Sequence, residues 1–146
     1  MGDVERHAEV TWTGDLARGT GVIESSSSGV IRDLPVTWAA RTEAPEGKTS
    51  PEELIAAAHA TCYAMALSHT MAQAGSPPDR LQVTATVHFD TGAGKVTRSD
   101  LRVRGSAAGL DADGFAKLAR EGEAFCPVSN ALRGGVDISL DAGLEN

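Results

Sequence analysis

The stretch Ser50–Gly75, SPEELIAAAHATCYAMALSHTMAQAG, decides the fold of this chain. Ser50 and Glu53 have the S-x-x-E spacing of a capping box, and a proline falls at the first helical position, where its missing N–H costs nothing. At the other end Gly75 suits a left-handed cap, and two prolines follow shortly after it. The stretch therefore predicts one helix from about Pro51 to Ala74, roughly 35 Å long at ~1.5 Å per residue.

This helix has no charged face that would favour exposure to solvent. From Ile55 to Ala74 there is no Asp, Glu, Lys or Arg, and a helix that is apolar all round is usually buried in a core, an oligomer or a membrane. Alanine dominates and polar side chains such as His59 and Gln73 interrupt the stretch, which disfavours insertion into a bilayer. Because a single sheet cannot easily cover such a helix, we expect a homodimer that encloses it. The alternative is a monomer with two sheet layers flanking the helix.

Length and composition narrow the class of protein. A chain of 146 residues predicts a single domain spanning residues 1–146. The formal net charge of −7 and the pI near 5.0 argue against nucleic acid or an anionic membrane as the main partner. Residues 1–25 lack a charged-then-apolar leader pattern, so we expect a cytoplasmic protein whose two cysteines are reduced thiols or a redox pair.

The segments that flank the helix predict an α+β fold. Alternating apolar and polar residues at Val4–Trp12, Thr20–Ser25 and Leu34–Arg41 predict three strands of an antiparallel meander. After the helix, Leu81–Asp90 and Lys95–Ser106 predict a hairpin around a glycine-rich turn. The element order is strands, helix, hairpin, helix and strand, which is typical of α+β proteins.

The last forty residues predict two helices and a strand. Asp111 is placed to cap a helix that ends at Cys126, and Pro127 starts a short helix through about Arg133. The alternation from Val136 to Leu140 then predicts the final strand.

The two cysteines have different surroundings. Cys62 lies among alanines in mid-helix, where a buried thiol is most often an inert hydrophobic group with a raised pKa. Cys126 precedes a proline at an expected helix N-terminus, which favours a thiolate, and the pattern F-C-P-V indicates an exposed turn. The two thiols could meet as an oxidisable pair, or they could bind a metal.

A metal site would need histidines as further ligands. His59 is one turn before Cys62, and His69 is two turns after it, so a Cys₂His₂ zinc site is conceivable. Structural zinc sites usually supply their ligands in close pairs, and Cys62 and Cys126 are 64 positions apart. This spacing argues against a metal. It favours histidines that are either packed and hydrogen-bonded or simply polar residues on a mixed face of the helix.

A reactive thiol at Cys62 would need a positive neighbour, because the dipole of the helix acts only at its ends. Arginine suits this role, since it is always charged and can hold a carboxylate with one edge. Arg41 precedes the loop into the helix, Glu52 in the first turn is a fitting carboxylate, and Arg18 is a second candidate. The alternative for each is a solvated surface charge.

Two motifs resemble a known family. SPEELIAAAHATC at 50–62 and FCPVSNAL at 125–132 are similar to the OsmC/Ohr family of osmotically inducible and organic-hydroperoxide-resistance proteins. WTGDLARGTG at 12–21 and the segment Arg41–Glu43 fit its OsmC branch. The resemblance runs along nearly the whole chain. It implies an intertwined α+β homodimer, with antiparallel sheets packed around long central helices and with active sites at the subunit interface.

The resemblance also implies a thiol-dependent peroxidase that reduces organic hydroperoxides and needs no metal or bound cofactor. Cys62 matches the peroxidatic cysteine and Cys126 the resolving cysteine. Glu52 matches the carboxylate that orients an essential arginine. In the OsmC pattern this arginine corresponds to Arg41, and Arg18 is the second candidate. The implied partners are the hydroperoxide and a dithiol reductant, a lipoylated protein in Ohr-type relatives. The alternative is a redox-sensing or small-ligand-binding module with the same fold.

Overall fold

The computed structural model describes residues 2–146 and divides them into two compact units, the first ending at Leu54 and the second being Ile55–Asn146. The elements in chain order are β1 (Ala8–Thr13), β2 (Thr20–Ser26), β3 (Leu34–Val36), α1 (Trp38–Thr42), α2 (Pro51–Gln73), β4 (Arg80–Asp90), β5 (Lys95–Ser106), α3 (Ala112–Phe125), α4 (Pro127–Leu132) and β6 (Asp137–Leu144). Helix α2 begins in the first unit and continues into the second.

The first unit contains the predicted antiparallel meander, with the strands in the order β1-β2-β3. The first predicted strand was too long at its start. It begins at Ala8 instead of Val4, because Ala8 pairs with Ser26, the last residue of β2. All six residues of β1 are exposed, whereas the alternation predicted a half-buried strand. Among the described residues, the apolar face of β1 is therefore left largely exposed.

The third predicted strand is wrong beyond Val36. Residues Trp38–Thr42 form the short helix α1, although their alternation predicted a strand continuing to Arg41. The Thr37 hydroxyl accepts a hydrogen bond from the Ala40 N–H at 3.1 Å, so this threonine acts as an N-cap. Capping turns the chain into a helix where the side-chain pattern alone suggested an extended backbone.

Helix α2 forms almost as predicted, over Pro51–Gln73. Ser50 accepts from the Glu53 N–H at 3.2 Å, which is one half of the capping box. The other half is missing, because the Glu53 carboxylate instead accepts from the Thr49 hydroxyl at 2.7 Å. Gly75, at φ +82°, ends the helix in the left-handed conformation that was expected.

Within a single chain, only one face of α2 is buried. His59, Tyr63, Leu67 and Met71 recur every four residues and are fully buried. On another face Met65 is 69% exposed. In one chain taken alone the helix is therefore covered on one face, and its enclosure by a homodimer stays a prediction.

The second unit is built on a three-stranded sheet in the order β4-β5-β6. Strands β4 and β5 form the predicted antiparallel hairpin, and β6 pairs with β5 in parallel. Helices α2 and α3 pack so closely that a Cβ added at Gly122 would lie only 3.0 Å from the Leu67 Cα. The buried core of this unit comprises Tyr63, Leu67, Met71, Leu101, Val103, Ala107, Phe115, Leu118 and Cys126. The architecture confirms the α+β class.

Within residues 2–146, no helix combines the length and hydropathy that a membrane crossing requires.

Candidate active site

The two thiols, 64 positions apart in sequence, lie together in the second unit. Cys62 is in the middle of α2, and Cys126 is the single residue that separates α3 from α4. Both thiols are free, and the two cysteines approach to 3.6 Å. The structure thus brings together the pair that the sequence suggested could be oxidised to a disulfide.

The exposure of the two cysteines is the reverse of the expectation. Cys62 is partly exposed, whereas Cys126 is fully buried within the apolar core. Cys126 ends α3 and caps α4, and its Sγ accepts a hydrogen bond from the Ser129 N–H at 3.4 Å. This capping contact directs the side chain inward, so the F-C-P-V turn does not present its thiol to solvent.

The pKa of the Cys62 thiol lies above its ordinary value. Burial is the largest cause, since it disfavours the charged thiolate. The Val128 N–H works in the opposite direction by donating a hydrogen bond, and the neighbouring Cys126 thiol raises the pKa further. An efficient nucleophile at neutral pH would need a positive charge in addition to these influences.

His59 lies one turn before Cys62 and makes two buried hydrogen bonds. Its Nδ1 is 2.7 Å from the Ser99 Oγ, and its Nε2 is 2.7 Å from the Ser129 Oγ. All three side chains are fully buried. Desolvation lowers the pKa of His59, Glu123 opposes the shift and Arg133 reinforces it, so the ring is held in the neutral form.

The two hydrogen bonds of His59 argue against its serving as a zinc ligand. Both ring nitrogens of His59 are occupied by serine hydroxyls, which removes the ligand closest in sequence to Cys62. Among the residues that the structure describes, no group of three or more His, Cys, Asp or Glu side chains is placed to hold a metal ion. The packed, hydrogen-bonded interpretation of His59 is confirmed.

The first unit contains the predicted pair of Arg41 and Glu52. Arg41 Nε donates to both carboxylate oxygens, at 3.0 and 3.1 Å, and Nη2 donates to Oε1 at 2.7 Å. Glu52 is only 8% exposed, and the guanidinium also lies 5.7 Å from the centre of the Trp38 ring. Arg18, the reserve candidate, is instead 89% exposed and pairs with Asp15 at 3.4 Å.

An apolar groove of about 770 Å³ opens beside Cys62 in the second unit. Most of its wall surface is apolar, and the wall includes the strongly exposed side chains of Met65 and Phe125. The remaining lining residues are Ala66, His69, Thr70, Gln73, Ala74, Glu121 and Pro127. The groove is suited to an alkyl or aryl group.

A second apolar pocket, of about 480 Å³, lies in the first unit. Arg41 is the charged residue in its wall, and two tryptophans contribute to it. The other lining residues are Val10, Trp12, Leu16, Ile23, Val36, Thr37, Trp38, Pro51 and Leu54.

Sequence reasoning missed Ser99 and Ser129, the two serines whose hydroxyls contact His59. A signal for Ser129 existed, because it follows Cys126 by three residues, the spacing of a cap contact. Nothing local marked Ser99, because only the packing of β5 against α2 brings it to His59.

The fold and the site define an α+β protein that carries two adjacent thiols beside an apolar groove. The chain belongs to the OsmC-like protein family, whose model matches residues 44–141. It is 37% identical to Peroxiredoxin OsmC of Escherichia coli over 145 residues, covering 98% of this chain and 99% of that protein. The resemblance noted in the sequence is thereby confirmed.

Solved structures agree with this assignment. The organic hydroperoxide resistance protein OhrB of Bacillus subtilis superposes with a TM-score of 0.65 and 28% identity, covering 93% of this chain and 97% of that one. The fold is also shared by an organic hydroperoxide resistance protein from Elizabethkingia anophelis, with a TM-score of 0.70, 23% identity and coverage of 99% and 100%.

Proposed function

We propose that this chain is a thiol-dependent peroxidase that reduces organic hydroperoxides to alcohols. Cys62 is the peroxidatic cysteine, and Cys126 is the resolving cysteine. The observation that carries the proposal is that the two free cysteines approach to 3.6 Å and that Cys62, which is partly exposed, lines an apolar groove. The names of the relatives, a peroxiredoxin and organic hydroperoxide resistance proteins, support the same enzyme class.

The first step forms a sulfenic acid. The Cys62 thiolate attacks the distal oxygen of the hydroperoxide, a sulfur–oxygen bond forms, and the oxygen–oxygen bond breaks. Sulfur gives up two electrons, and the leaving alkoxide takes a proton to become the alcohol. The apolar groove binds the organic part of the substrate, because burying that surface is favourable.

The second step closes a disulfide. Cys126 attacks the sulfenic sulfur of Cys62, the sulfur–sulfur bond forms, and hydroxide leaves and is protonated to water. A dithiol then reduces the disulfide by exchange, which returns both cysteines to thiols. The family resemblance suggests a lipoylated protein as this dithiol. No bound cofactor takes part in the scheme, and a cytoplasmic location stays a prediction.

Arg41 is proposed as the activating cation. A guanidinium near Cys62 would stabilise the thiolate and the charge that develops on the leaving oxygen. Glu52 would act as the residue that orients Arg41, since three charge-assisted hydrogen bonds hold the guanidinium. The raised pKa of Cys62 makes such a cation necessary for rapid reaction at neutral pH.

The active form is proposed to be an intertwined homodimer with its sites at the subunit interface. Strand β1 exposes an apolar face, with Val10 56% and Trp12 39% exposed. In the second unit Met65 and Phe125 are 69% and 72% exposed. A second copy of the chain would cover the face of β1 and would complete the outer edge of the groove that Met65 and Phe125 line, as obligate dimers bury surfaces of core-like composition.

A non-catalytic redox sensor or ligand-binding module is the second candidate, and the raised pKa of Cys62 favours it. A slow thiol could still respond to oxidants without turning over. The two candidates differ in rate, because a sensor thiol with a raised pKa and no activating cation would react with the hydroperoxide far more slowly than a peroxidatic thiol.

The deciding experiment measures consumption of cumene hydroperoxide with dithiothreitol for the wild type, Cys62→Ser and Cys126→Ser. We expect multiple turnovers for the wild type and no activity for Cys62→Ser. Without its resolving partner, Cys126→Ser should become prone to irreversible oxidation to sulfinic acid. Equal rates for all three proteins would rule out thiol catalysis, and a wild-type rate no higher than that of an unactivated thiol would favour the sensor.

A further inference from the structure

We propose that His59 is a positioning residue for the resolving step, holding α4 and its cap residue Cys126 against Cys62. The inference rests on the proposed function, since it assigns a role within the same two-thiol cycle. It concerns a buried histidine that takes no part in the chemistry of either sulfur.

A chain of hydrogen bonds connects the two elements that carry the thiols. His59 is on α2, three residues before Cys62, and its Nε2 contacts the Ser129 Oγ at 2.7 Å. The Ser129 N–H in turn donates to the Cys126 Sγ at 3.4 Å. Ser129 therefore contacts both His59 and the resolving sulfur. A shift of Ser129 would move the cap and the thiol together.

The other ring nitrogen fixes the orientation of the imidazole. Nδ1 of His59 contacts the Ser99 Oγ on β5 at 2.7 Å, so the ring is held between the sheet and α4. A neutral imidazole has one donor nitrogen and one acceptor nitrogen, and each serine hydroxyl can serve either. The lowered pKa of His59 agrees with a neutral ring that satisfies both contacts.

The outer side of α4 has its own restraints. Arg133 Nη2 donates to both carboxylate oxygens of Glu123 at 3.0 Å, and the Asn130 side chain donates to the Ala124 carbonyl at 3.1 Å. These contacts link the six-residue helix to the end of α3 on the solvent side. They do not involve α2. On the inner side, His59 and the Val128 N–H, which donates a hydrogen bond to Cys62, hold α4 against the helix that carries Cys62.

The chemistry explains why this restraint matters. A disulfide forms only when the Cα atoms lie roughly 4.4–6.8 Å apart and the sulfurs can align. Disulfide closure also competes with attack of a second hydroperoxide on the Cys62 sulfenic acid, which gives sulfinic acid. A small displacement of α4 would therefore slow closure without slowing the first oxidation.

The three buried polar side chains of His59, Ser99 and Ser129 indicate a role in fixing geometry as well as in filling space. Burying three polar side chains is costly unless every one is hydrogen-bonded, and apolar residues of similar size could fill the space without that requirement. A fully satisfied polar cluster specifies one geometry more narrowly than an apolar contact does.

Two substitutions of His59 separate the contacts. Asparagine places its amide near the Nδ1 position and keeps reach to Ser99, whereas glutamine places its amide near the Nε2 position and keeps reach to Ser129. Reduced protein is mixed with a several-fold excess of cumene hydroperoxide, without added dithiol, and quenched at intervals with an alkylating reagent. The excess supplies the second molecule of hydroperoxide that oxidation to sulfinic acid consumes. Mass spectrometry then quantifies the thiol, disulfide and sulfinic forms of Cys62.

We expect His59→Asn to slow disulfide formation about 10- to 100-fold, the order of loss that a misplacement of about 1 Å produces. Sulfinic acid at Cys62 should accumulate, while the first oxidation keeps its rate. His59→Gln should restore most of the rate of closure. Ser129→Ala should reproduce the effect of His59→Asn, and His88→Asn, which alters a histidine on β4 paired with Asp100, is the matched control.

Disulfide formation at the wild-type rate in both His59→Asn and Ser129→Ala would overturn the inference, even if their thermal stability fell, because a merely structural role would change stability alone. If His59→Asn does not fold, Ser129→Ala decides, since it leaves the histidine in place. If wild-type protein loses no Cys62 thiol to the peroxide, the proposed function itself fails. Failure of the inference alone looks different, because the wild type then loses its Cys62 thiol normally and the variants form the disulfide at the wild-type rate.

Discussion

Arg41 and Glu52 are eleven residues apart in the chain and form a bidentate ion pair, in which the guanidinium Nη2 lies 2.7 Å from the carboxylate Oε1. The arginine comes from the last turn of α1 and the glutamate from the first turn of α2. The low exposure of Glu52 strengthens the pair relative to one in open solvent. A guanidinium held in this way is oriented before any substrate arrives, which is what electrostatic stabilisation of a transition state requires.

Replacing Arg41 by lysine should remove most of the peroxidase activity. Lysine keeps the charge but cannot reproduce the forked hydrogen bonds to Glu52, so the cation would lose its orientation. We expect kcat/KM for cumene hydroperoxide to fall by about 10²- to 10³-fold, the usual loss when one transition-state donor is removed.

The matched control is Arg18→Lys. This residue is 89% exposed and contacts Asp15, so its substitution should leave the rate unchanged. Loss of activity in Arg18→Lys together with normal rates in Arg41→Lys would transfer the role to the reserve arginine.

The groove beside Cys62 should make the enzyme selective for organic hydroperoxides. Met65→Lys places a charge in the apolar wall, so we expect kcat/KM for cumene hydroperoxide to fall about tenfold, the loss of one apolar contact. Hydrogen peroxide has no apolar part, and its rate should change little.

The ratio of the two rates within each variant is the measurement, because general damage would lower both. Met65→Leu, which keeps the wall apolar, should retain the wild-type ratio. Equal efficiency of the wild type toward hydrogen peroxide and cumene hydroperoxide would contradict the assignment of the groove.

The exposed face of β1 should be a dimer contact. Sedimentation equilibrium is expected to give twice the 15.1 kDa of one chain for the wild type. Val10→Lys, on the apolar face of β1, should shift the protein toward the monomer, because a charge would be buried without a partner.

Thr11→Lys changes the neighbouring residue on the opposite face of the same strand, and it should leave the dimer intact. A wild-type protein that sediments as a monomer at all concentrations would contradict the proposed assembly.

Acid should destabilise the fold through His59. Desolvation lowers the folded-state pKa of this residue below its ordinary value near 6.5, with Glu123 opposing the shift and Arg133 adding to it. Above pH ~6.5 neither the folded nor the unfolded form binds the proton. Below it the unfolded chain binds a proton that the folded form does not, so the free energy of unfolding should fall until the pH reaches the folded-state pKa.

Urea denaturation of wild type and His59→Gln at a fixed protein concentration, from pH 7.5 down to 5, tests this prediction. Glutamine does not titrate, and the carboxylates common to both proteins cancel in the comparison. The difference in stability between the two proteins should therefore narrow as the pH falls. A constant difference over this range would show that His59 is not the group responsible.

Local patterns predicted the elements whose determinants are close together in sequence. Helix α2 begins and ends where Ser50, Gly75 and the prolines indicated. The hairpin of β4 and β5 also forms as expected from alternation and a glycine-rich turn. The exception is the segment after Val36, where the Thr37 cap overrode an alternating pattern that is equally compatible with a short helix.

The sequence by itself determined the α+β class, the family, the two thiols and the pairing of Arg41 with Glu52, because motifs and short-range chemistry carry that information. Only the tertiary structure decided that Cys126 is buried, that Cys62 is the partly exposed thiol, and that His59 connects Ser99 with Ser129. These contacts join residues 40 to 70 positions apart. Burial and hydrogen bonding at that range depend on how helices and sheet pack, which no local pattern specifies.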